Sequence, residues 1–409
     1  IESALLAFGE IVADAGTLEA GPSAPARAGR DLLLRHPPRL RSRRFDGSAS
    51  DPESAARAAL DLDGSVLALQ GPPGSGKTYC GARMILAAVQ AGLRVGVTAT
   101  SHTVIDNLLA AVAAAAARDG VEIRLGHRDG EDPDAPPSVV RFEDNEPARQ
   151  ALADRSVHVL GATVWLWARE DFRDSVDLLF VDEAGQLSLA NTVAASLAAR
   201  SLVLLGDPQQ LEQPIRGTHP EGADGSALSH ILGPHQTMPA DRGMFLPVTR
   251  RLAPTIAAYT SEIFYERKLT SLPGLERQVL TGTGTFVGSG LWVVDVDHLG
   301  NRNFAEEEID AVERLVATLT AGGATWTDER GAVRPLTGAD MATSRAEDAP
   351  RGMEFLYSPN RLNVATSRAR CAAIVVASPG LYEPECRSPR QMRLANGLCR
   401  FREMAGIVG

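Results

Sequence analysis

The most informative stretch of this sequence is a glycine-rich loop that ends in a lysine and a threonine. Its spacing is G-x-x-x-x-G-K-T, a pattern in which backbone N–H groups turn toward the phosphate oxygens of a nucleotide. Lys77 is expected to reach the β- and γ-phosphates, and the Thr78 hydroxyl is expected to ligate Mg²⁺. Gln70 and Tyr79 flank the loop and are candidates for contacting the base. The predicted phosphate-binding residues are Gly71, Pro72, Pro73, Gly74, Ser75, Gly76, Lys77 and Thr78.

The segments on either side of this loop favour a nucleotide site over a chance glycine turn. An apolar run at 65–70 predicts a strand before the loop, and the pattern at 79–89 predicts a helix after it. The motif requires this setting because the helix N-terminus adds partial positive charge. Of the 41 basic residues, only Lys77 and Lys268 are lysines. A compact ammonium fits between phosphates better than a planar guanidinium does.

Two acidic residues follow another apolar strand, which is predicted at 177–181. Asp182 is expected to hold Mg²⁺, and Glu183 is expected to orient and deprotonate the attacking water. The alternative is a solvated pair of turn residues, but the preceding strand favours a site. Gln210 follows the next predicted strand, at 201–205, and is a candidate sensor of the γ-phosphate. Its alternative is a simple Gly-Asp-Pro turn.

Strand-like and helix-like patterns alternate along the chain and predict an α/β fold. Apolar strands separated by helices are typical of a parallel sheet that is covered on both faces. Further strands are predicted at 94–100 and 156–161, a helix at 101–117, and an acidic, proline-rich loop at 130–147. In the second half, strands are predicted at 290–296 and 371–377 and a helix at 305–319.

Three regions are expected from these patterns. A lead-in and linker at 1–64 precedes a nucleotide-binding domain at 65–235, which has an insertion near 118–155. A second α/β domain occupies 236–409. With 409 residues, the chain is long enough for two or three separate cores.

Composition limits the partners and the compartment. The net charge of −10 argues against indiscriminate nucleic-acid binding, although a local basic groove remains compatible with it. A basic run at 35–44 is either a solvated linker or a phosphate contact. No apolar run is long enough to span a bilayer, and no signal pattern is evident, so we expect a cytoplasmic protein without a membrane partner.

The bias toward arginine and alanine suggests a bacterial genome of high GC content. The chain begins at Ile1 and is expected to be a fragment. Four cysteines without C-x-x-C spacing are expected to be buried thiols.

The segments GPPGSGKT, VDEAG and LLGDPQQL, in this order, resemble motifs I, II and III of superfamily 1 helicases. Gln70 with the following Gly-Pro-Pro, and the DEAG form, are similar to the Upf1-like branch. More closely, the chain resembles the helicase half of bacterial proteins that join a RecB-like nuclease to such a helicase. The resemblance covers nearly all of 30–409. It implies two RecA-like lobes with ATP bound between them.

Polar residues at two strand ends also match this family. The segment at 98–108 resembles motif Ia, and Gly-Ala-Thr at 161–163 resembles the next strand-end contact. The resemblance implies that Ser101, His102 and Thr163 contact the nucleic-acid backbone, where hydroxyls can bind phosphates without reading bases. The alternatives are ordinary helix capping by Ser101 and an ordinary β-branched strand residue at Thr163.

Two arginines match motifs IV and VI. The resemblance implies that Arg251 and Arg368 act as arginine fingers toward the γ-phosphate. Motif IV departs from the family because Arg250 stands where an aromatic residue is usual, so no stacking role is carried over. A larger departure is the missing motif V, with its Gln-Gly-x-Glu signature, near 340/341. The second lobe therefore looks incomplete. Either a stretch of sequence has been omitted, which we favour, or the deletion is real.

Together these features predict an ATP-dependent helicase or translocase that uses ATP and Mg²⁺. Single-stranded DNA is the expected partner, with RNA as the alternative, and the family implies 5′-to-3′ movement. A RecB-like nuclease domain upstream in the same polypeptide is also implied. A different class of function is an ATP-binding, DNA-dependent switch or scaffold that does not unwind. A third is a small-molecule kinase, which has no need of residues 235–409.

Overall fold

A computed structural model describes residues 1–15, 26–129, 138–211, 225–298, 305–320, 323–341 and 357–408 of the chain. The chain divides into two compact units. The first consists of Ile1–Gly71 and Gly76–Leu246, and the second consists of Pro72–Ser75 and Pro247–Gly409. Both units contain helices and parallel strands. The predicted α/β fold class is confirmed.

In the part of the first unit that the structure describes, eight strands form one sheet. These are β1 (Val66–Gln70), β2 (Val95–Thr98), β3 (Leu125–Arg128), β4 (Val139–Phe142), β5 (Val159–Ala162), β6 (Val176–Val181), β7 (Ala199–Gly206) and β8 (Gly243–Phe245). They lie in the order β4-β3-β5-β2-β6-β7-β1-β8, and every neighbouring pair is parallel. All carboxyl ends therefore lie on one edge of the sheet.

Helices cover both faces of this sheet. They are α1 (Glu2–Asp14), α2 (Arg27–Leu34), α3 (Pro52–Asp61), α4 (Lys77–Gln90), α5 (His102–Asp119), α6 (Asn145–Ala153), α7 (Val164–Trp167), α8 (Leu189–Ser196) and α9 (Ala227–Leu232). Residues of α3, α4 and α5 form one core with Leu67, Val97, Phe180 and Leu205 of the central strands. The other faces of β1 and β7 contact α2 and α9. Burial on both faces explains why these strands are almost wholly apolar.

Three features of the first unit differ from the sequence expectation. Strands β3, β4 and β8 were not predicted. Of the predicted loop at 130–147, residues 130–137 lie outside the described residues, while the rest contains β4 and the start of α6. The described residues of 1–64 contain three helices, and the basic run there is not a solvated linker throughout. Arg39 donates to the carbonyl of Asp63 (3.1 Å) and to Asp31 (2.9 Å), and Arg41 donates to the carbonyl of Leu62 (3.1 Å).

The second unit has three small sheets and four α-helices among its described residues. The helices are α10 (Pro254–Phe264), α11 (Glu306–Thr320), α12 (Pro359–Ser367) and α13 (Pro389–Met404). The strands are β9 (Val248–Thr249), β10 (Thr270–Ser271), β11 (Val279–Thr281), β12 (Gly290–Asp295), β13 (Thr325–Thr327), β14 (Val333–Pro335), β15 (Ala372–Ala377) and β16 (Gly406–Val408). Strand β9 pairs with β10, β11-β13-β14 is antiparallel, and β15-β12-β16 is parallel.

Buried tyrosines join the helices of the second unit. The Tyr259 hydroxyl of α10 donates to the Gly397 carbonyl of α13 (2.9 Å), and the Asn363 amide of α12 donates to the Tyr265 hydroxyl (2.8 Å). Residues 342–356 follow the junction at 340/341 and lie outside the described residues. Of the four predicted buried thiols, Cys80 and Cys371 are buried, and the other two are partly exposed. Within the described part of the chain, no helix is both long and apolar enough to cross a bilayer.

Candidate functional site

The predicted nucleotide-binding residues of the first unit lie at the carboxyl ends of three adjacent strands. Gln70, the last residue of β1, pairs with Gly206, the last residue of β7. Strand β6 lies beside β7 and ends at Val181, immediately before the acidic pair. The register therefore brings the phosphate-binding loop, the acidic pair and the Gly-Asp-Pro-Gln-Gln segment to the same edge of the sheet.

The loop after β1 adopts a backbone conformation that favours glycine at two positions. Gly74 and Gly76 have φ angles of +74° and +87°, in the left-handed region that L-residues with a side chain rarely occupy. Ser75 donates its N–H to the Pro72 carbonyl (3.0 Å). The Ser75 Oγ is buried and has no hydrogen-bond partner among the described residues. A buried hydroxyl without a partner is costly, and a phosphate oxygen would satisfy it.

Part of this loop belongs to the second unit, together with the segment that resembles motif IV. The Thr249 hydroxyl donates to the Pro73 carbonyl (3.0 Å), and the Arg250 N–H donates to the Gly74 carbonyl (2.8 Å). A Cβ on Gly74 would lie 2.5 Å from the Arg251 Cβ. Both the close approach and the positive φ therefore require glycine at this position. Thr249 had not been singled out from the sequence, because a threonine at a strand end usually carries no signal.

Lys77 is the first residue of α4 and lies against the two predicted acids. Its Nζ is 2.7 Å from the Glu183 Oε1 and 3.5 Å from the Asp182 Oδ1. The Asp182 Oδ1 also accepts the Glu183 N–H (2.9 Å). Glu183 has a φ of +51°, and such strain in a residue other than glycine is typical of functional sites. The acidic pair is thus part of a compact ionic cluster and not a solvated turn.

Burial sets the charge behaviour of this cluster. Burial on its own would lower the pKa of Lys77, but the nearby carboxylates of Asp182, Glu183 and Asp207 outweigh it, so its pKa is raised. Burial raises the pKa of Asp182, although Lys77 opposes that effect. Lys77 therefore stays an ammonium at neutral pH. Burial removes water from the Asp182 carboxylate, and a bound cation would stabilise its charge in place of that water.

Asp207 connects Gln70, which precedes the loop, with Gln210. The Gln70 Nε2 donates to the Asp207 Oδ1 (3.3 Å), and the Gln210 Nε2 donates to the Asp207 Oδ2 (3.1 Å). Gln70 is fully buried, and its amide also bonds to the Gln236 carbonyl (3.1 Å) and the Met238 N–H (2.7 Å). Asp207 is a buried anchor that the sequence analysis treated only as a turn residue. Its position directly after an apolar strand was the available signal.

The other loop candidates differ in exposure. The Gly71 N–H donates to the Gly206 carbonyl (2.9 Å). Thr78, the second residue of α4, is half-buried and follows Lys77 directly. Tyr79 is 44% exposed, and the Arg118 guanidinium lies 5.5 Å from its ring centroid. Of the two candidates for contacting the base, Tyr79 is thus accessible and Gln70 is enclosed.

The three nucleic-acid candidates lie at the ends of β2 and β5, which are paired strands. Ser101 is the N-cap of α5, and its Oγ accepts the Val104 N–H (3.3 Å). Thr163 precedes α7, is half-buried and makes no side-chain capping bond. His102 is exposed, with its Nδ1 3.1 Å from the Nε2 of His127. The capping role considered for Ser101 is therefore present in the fold.

In the second unit, one predicted arginine finger contacts the backbone next to the other. The Arg251 Nη1 donates to the carbonyl of Ser367 (3.5 Å), the residue before Arg368. The Arg251 carbonyl accepts the Gln278 amide (2.9 Å), which holds its backbone in place. Burial lowers the pKa of Arg251, and Arg370 lowers it further. Arg368 is the C-cap residue directly after α12 and is exposed.

Comparison with known proteins finds one family model that matches part of the chain. A family described as an AAA domain matches residues 50–221, which include α3, the phosphate-binding loop and β1 to β7. No curated protein matches the sequence. Among solved structures, arterivirus nonstructural protein 10 (helicase) in complex with DNA is similar at 13% identity and a TM-score of 0.39. The match covers 80% of this chain and 62% of that one.

A second structure of the arterivirus protein matches at 14% identity and a TM-score of 0.38, covering 81% of this chain and 63% of that chain. The present chain thus spans less than two thirds of the length of either structure. The assignment of a nucleotide site rests on the family match and on the local geometry. The first unit combines an AAA-domain match over 50–221 with the strand-end arrangement of a phosphate-loop nucleotide site.

Proposed function

We propose that this chain is an ATP-dependent nucleic-acid helicase or translocase that acts on single-stranded DNA. The observation that supports this most is the ionic cluster of Lys77 with Asp182 and Glu183, next to the phosphate-binding loop. A cation, a metal-binding acid and a water-activating acid are the parts that phosphoryl transfer to water needs. The segments that resemble helicase motifs Ia, IV and VI extend the proposal from ATP hydrolysis to movement on a nucleic acid.

Each predicted site residue of the first unit has a role in this proposal. Lys77 exchanges its carboxylate partners for the β- and γ-phosphate oxygens when ATP binds, and this exchange frees Glu183. The Glu183 carboxylate then accepts a proton from the water that attacks the γ-phosphorus. Gln210 is held near the loop by Asp207 and responds to the presence of the γ-phosphate. Loss of that phosphate restores the ion pair between Lys77 and Glu183.

Asp182 and Thr78 are the proposed Mg²⁺ ligands. Their oxygen chemistry fits a hard divalent cation, and such a cation would offset the burial that raises the pKa of Asp182. Bound Mg²⁺ would neutralise charge that develops on the phosphate oxygens. The buried, unpartnered Ser75 hydroxyl and the positive φ angles of Gly74 and Gly76 provide a cradle for the phosphates themselves.

Arg251 and Arg368 are proposed to supply the remaining positive charge to the γ-phosphate. The Arg251 guanidinium donates to the Ser367 carbonyl, and Ser367 directly precedes Arg368. This contact supports a shared role for the two arginines. The pKa of Arg251 is lowered by burial and by the charge of Arg370, and an incoming phosphate would offset both effects. Ser101, His102 and Thr163 are proposed contacts to the nucleic-acid backbone, and the family resemblance implies 5′-to-3′ movement.

The decisive experiment measures ATP hydrolysis and strand displacement by the same protein. Wild type is expected to hydrolyse ATP faster with single-stranded DNA and to unwind a duplex that bears a 5′ tail. Glu183→Gln is expected to lose about 10²–10⁴-fold in turnover while still binding ATP, because it removes the base but keeps the loop. A chain that hydrolyses ATP without any DNA stimulation would contradict the proposal.

The substrate controls separate the remaining possibilities. Duplexes with 3′ tails and matched RNA strands test the direction of movement and the choice of nucleic acid. ATP turnover that DNA stimulates, without displacement from any tailed duplex, would favour the switch or scaffold function instead. An upstream RecB-like nuclease domain belongs to the same proposal, and the reading frame that precedes Ile1 in the gene tests it.

A further inference from the structure

A second cluster of potential ligands lies on the same edge of the first unit, away from the phosphate-binding loop. It consists of His102 at the start of α5, His127 in β3, and Asp129 directly after β3. We refer to these three residues as the histidine cluster. One ligand atom from each lies within 4.8 Å of the others. Four strands lie between β3 and β1 in the sheet, namely β5, β2, β6 and β7. The cluster is therefore separate from the nucleotide site.

The spacing of the two imidazoles fits a shared metal ion. The His102 Nδ1 and the His127 Nε2 are 3.1 Å apart. Two nitrogens bound to one tetrahedral zinc at its usual bond length would be about 3.3 Å apart. The Asp129 Oδ2 lies 4.0 Å from the His102 Nδ1, so a small rotation of the exposed His102 ring would complete the set. A metal ion could therefore enter with little movement of the backbone.

Asp106 fixes the buried imidazole in the form that a metal needs. Its Oδ1 lies 2.8 Å from the His127 Nδ1, and the Arg141 Nη1 lies 2.6 Å from the same nitrogen. When the Arg141 guanidinium turns fully to its carboxylate partners, a proton on Nδ1 is shared with Asp106 and the Nε2 lone pair is left for a metal. A carboxylate behind a histidine is the usual support for a metal ligand.

A buried carboxylate oxygen provides a separate indication of a ligand. The Asp129 side chain is only 5% exposed, and its Oδ1 has no hydrogen-bond partner among the described residues. Arg141 pairs with the Asp129 Oδ2 and also with the Asp106 Oδ1 (2.9 Å). Two carboxylates and one guanidinium leave a formal charge of −1 around the His127 ring. An unpartnered buried oxygen in a negative environment is suited to a cation.

We propose that the histidine cluster binds a divalent transition metal through His102, His127 and Asp129, and that zinc is the ion its ligand types favour. Two imidazoles and a carboxylate are borderline ligands that suit Zn²⁺ better than Mg²⁺ or Ca²⁺. The His102 side chain is 46% exposed, which gives the ion a path from solvent and leaves an open coordination position. The metal would tie the start of α5 to the end of β3. This inference does not depend on the proposed helicase function.

The test is a zinc titration of the whole chain, without ATP or Mg²⁺, in competition with a chromogenic zinc chelator. Wild type is expected to take one equivalent. His102→Ala and Asp129→Asn are each expected to weaken binding at least tenfold. The matched control is His36→Ala, because His36 is 40% exposed and paired with Asp31 outside the cluster. This control is expected to bind zinc as wild type does.

Cobalt substitution then identifies the ligands. Co²⁺ in the histidine cluster is expected to give visible absorption of a low-symmetry nitrogen and oxygen site, and His102→Ala is expected to abolish it. A strong near-ultraviolet thiolate-to-cobalt band would place the metal on cysteines and overturn the proposal. Absence of any zinc uptake, or equal uptake by wild type and His102→Ala, would overturn it as well.

Discussion

Gly74 shows how a single Cβ atom can decide whether the phosphate-binding loop forms. Gly74→Ala would combine a φ of +74° with a 2.5 Å approach to the Arg251 Cβ. Gly92 is the matched control, because its φ is +78° and nothing lies within 4 Å of a Cβ built there. Both variants should lose about 1–2 kcal/mol of stability through the left-handed backbone. Only Gly74→Ala should also displace the loop.

Nucleotide-dependent stabilisation separates these two effects. At an ATP concentration 100 times its Kd, wild type and Gly92→Ala should each gain about 2.7 kcal/mol in unfolding free energy. Gly74→Ala, with at least tenfold weaker affinity, should gain about 1.4 kcal/mol or less at the same concentration. Chemical denaturation with and without ATP measures both gains. Equal stabilisation of the two variants would show that the loop tolerates a side chain at Gly74.

Arg368 and Arg370 provide a matched pair of exposed arginines two residues apart. Arg370 lies over the Trp326 ring, with its guanidinium carbon 5.8 Å from the ring centroid, and pairs with Glu329. Arg368→Ala should reduce ATP turnover about 10³-fold or more, the usual contribution of an arginine finger, with little change in ATP affinity. Arg370→Ala should retain most of the turnover. Steady-state ATPase assays that find both variants equally active would remove Arg368 from the mechanism.

At the scale of the elements, apolar content determined which strands were predictable. Strands β1, β2, β5, β6 and β7 lie in the middle of the sheet and read as apolar runs because both of their faces are buried. Strand β3 contains His127 and Arg128, β4 contains Arg141, and β8 is only three residues long. The side chains of β3 and β4 belong to an ionic network, so hydrophobic patterning could not reveal them.

The candidate site was more predictable in its residues than in its contacts. The loop and the acidic pair follow apolar strands, so parallel pairing brings them together. By contrast, the bond from Thr249 to the Pro73 carbonyl joins residues 176 positions apart. The enclosure of the Gln70 amide by Asp207, Gln236 and Met238 is equally non-local. Such contacts depend on the packing of distant segments, and no local sequence pattern encodes them.

The junction of α9 with α2 should make stability depend on pH. The His230 Nε2 donates to the Leu33 carbonyl (3.0 Å), and the Arg35 guanidinium lies 3.4 Å from its Nδ1. Burial lowers the pKa of His230 despite the Leu33 carbonyl, and Arg35 lowers it further. Below about pH 6.5 the unfolded chain takes up a proton that the folded chain resists, so acidification destabilises the fold.

His230→Gln tests this expectation, because an amide can donate to Leu33 and accept from Arg35 without titrating. Urea unfolding at pH 7.5 and pH 5.5 should show a larger loss of stability for wild type than for the variant. His127 and His158 also have lowered pKa values and contribute to both proteins equally. An identical loss in the two proteins would mean that His230 does not contribute to the pH dependence.

For the molecule as a whole, the net charge of −10 limits how nucleic acid can bind. A protein of this charge should rely on a few local phosphate contacts and not on a general field. Each neutralised phosphate of a single strand contributes a slope of about −0.7 to the dependence of log affinity on log salt. Three or four contacts predict a total slope of about −2 to −3. Fluorescence anisotropy of labelled single-stranded DNA in increasing KCl measures it, and a slope steeper than about −6 would require an extended basic surface.

Because lysine is scarce in this sequence, chemical labelling of amines can report on the phosphate-binding loop. Within this sequence, the lysine side chains that an amine-reactive reagent can modify are those of Lys77 and Lys268. The Lys268 side chain is 54% exposed, whereas that of Lys77 is 11% exposed and held by two carboxylates. Acylation should therefore reach Lys268 first. Peptide mass spectrometry of a partly labelled sample can then follow occupancy of the phosphate-binding loop at one amine, with the other as an internal standard.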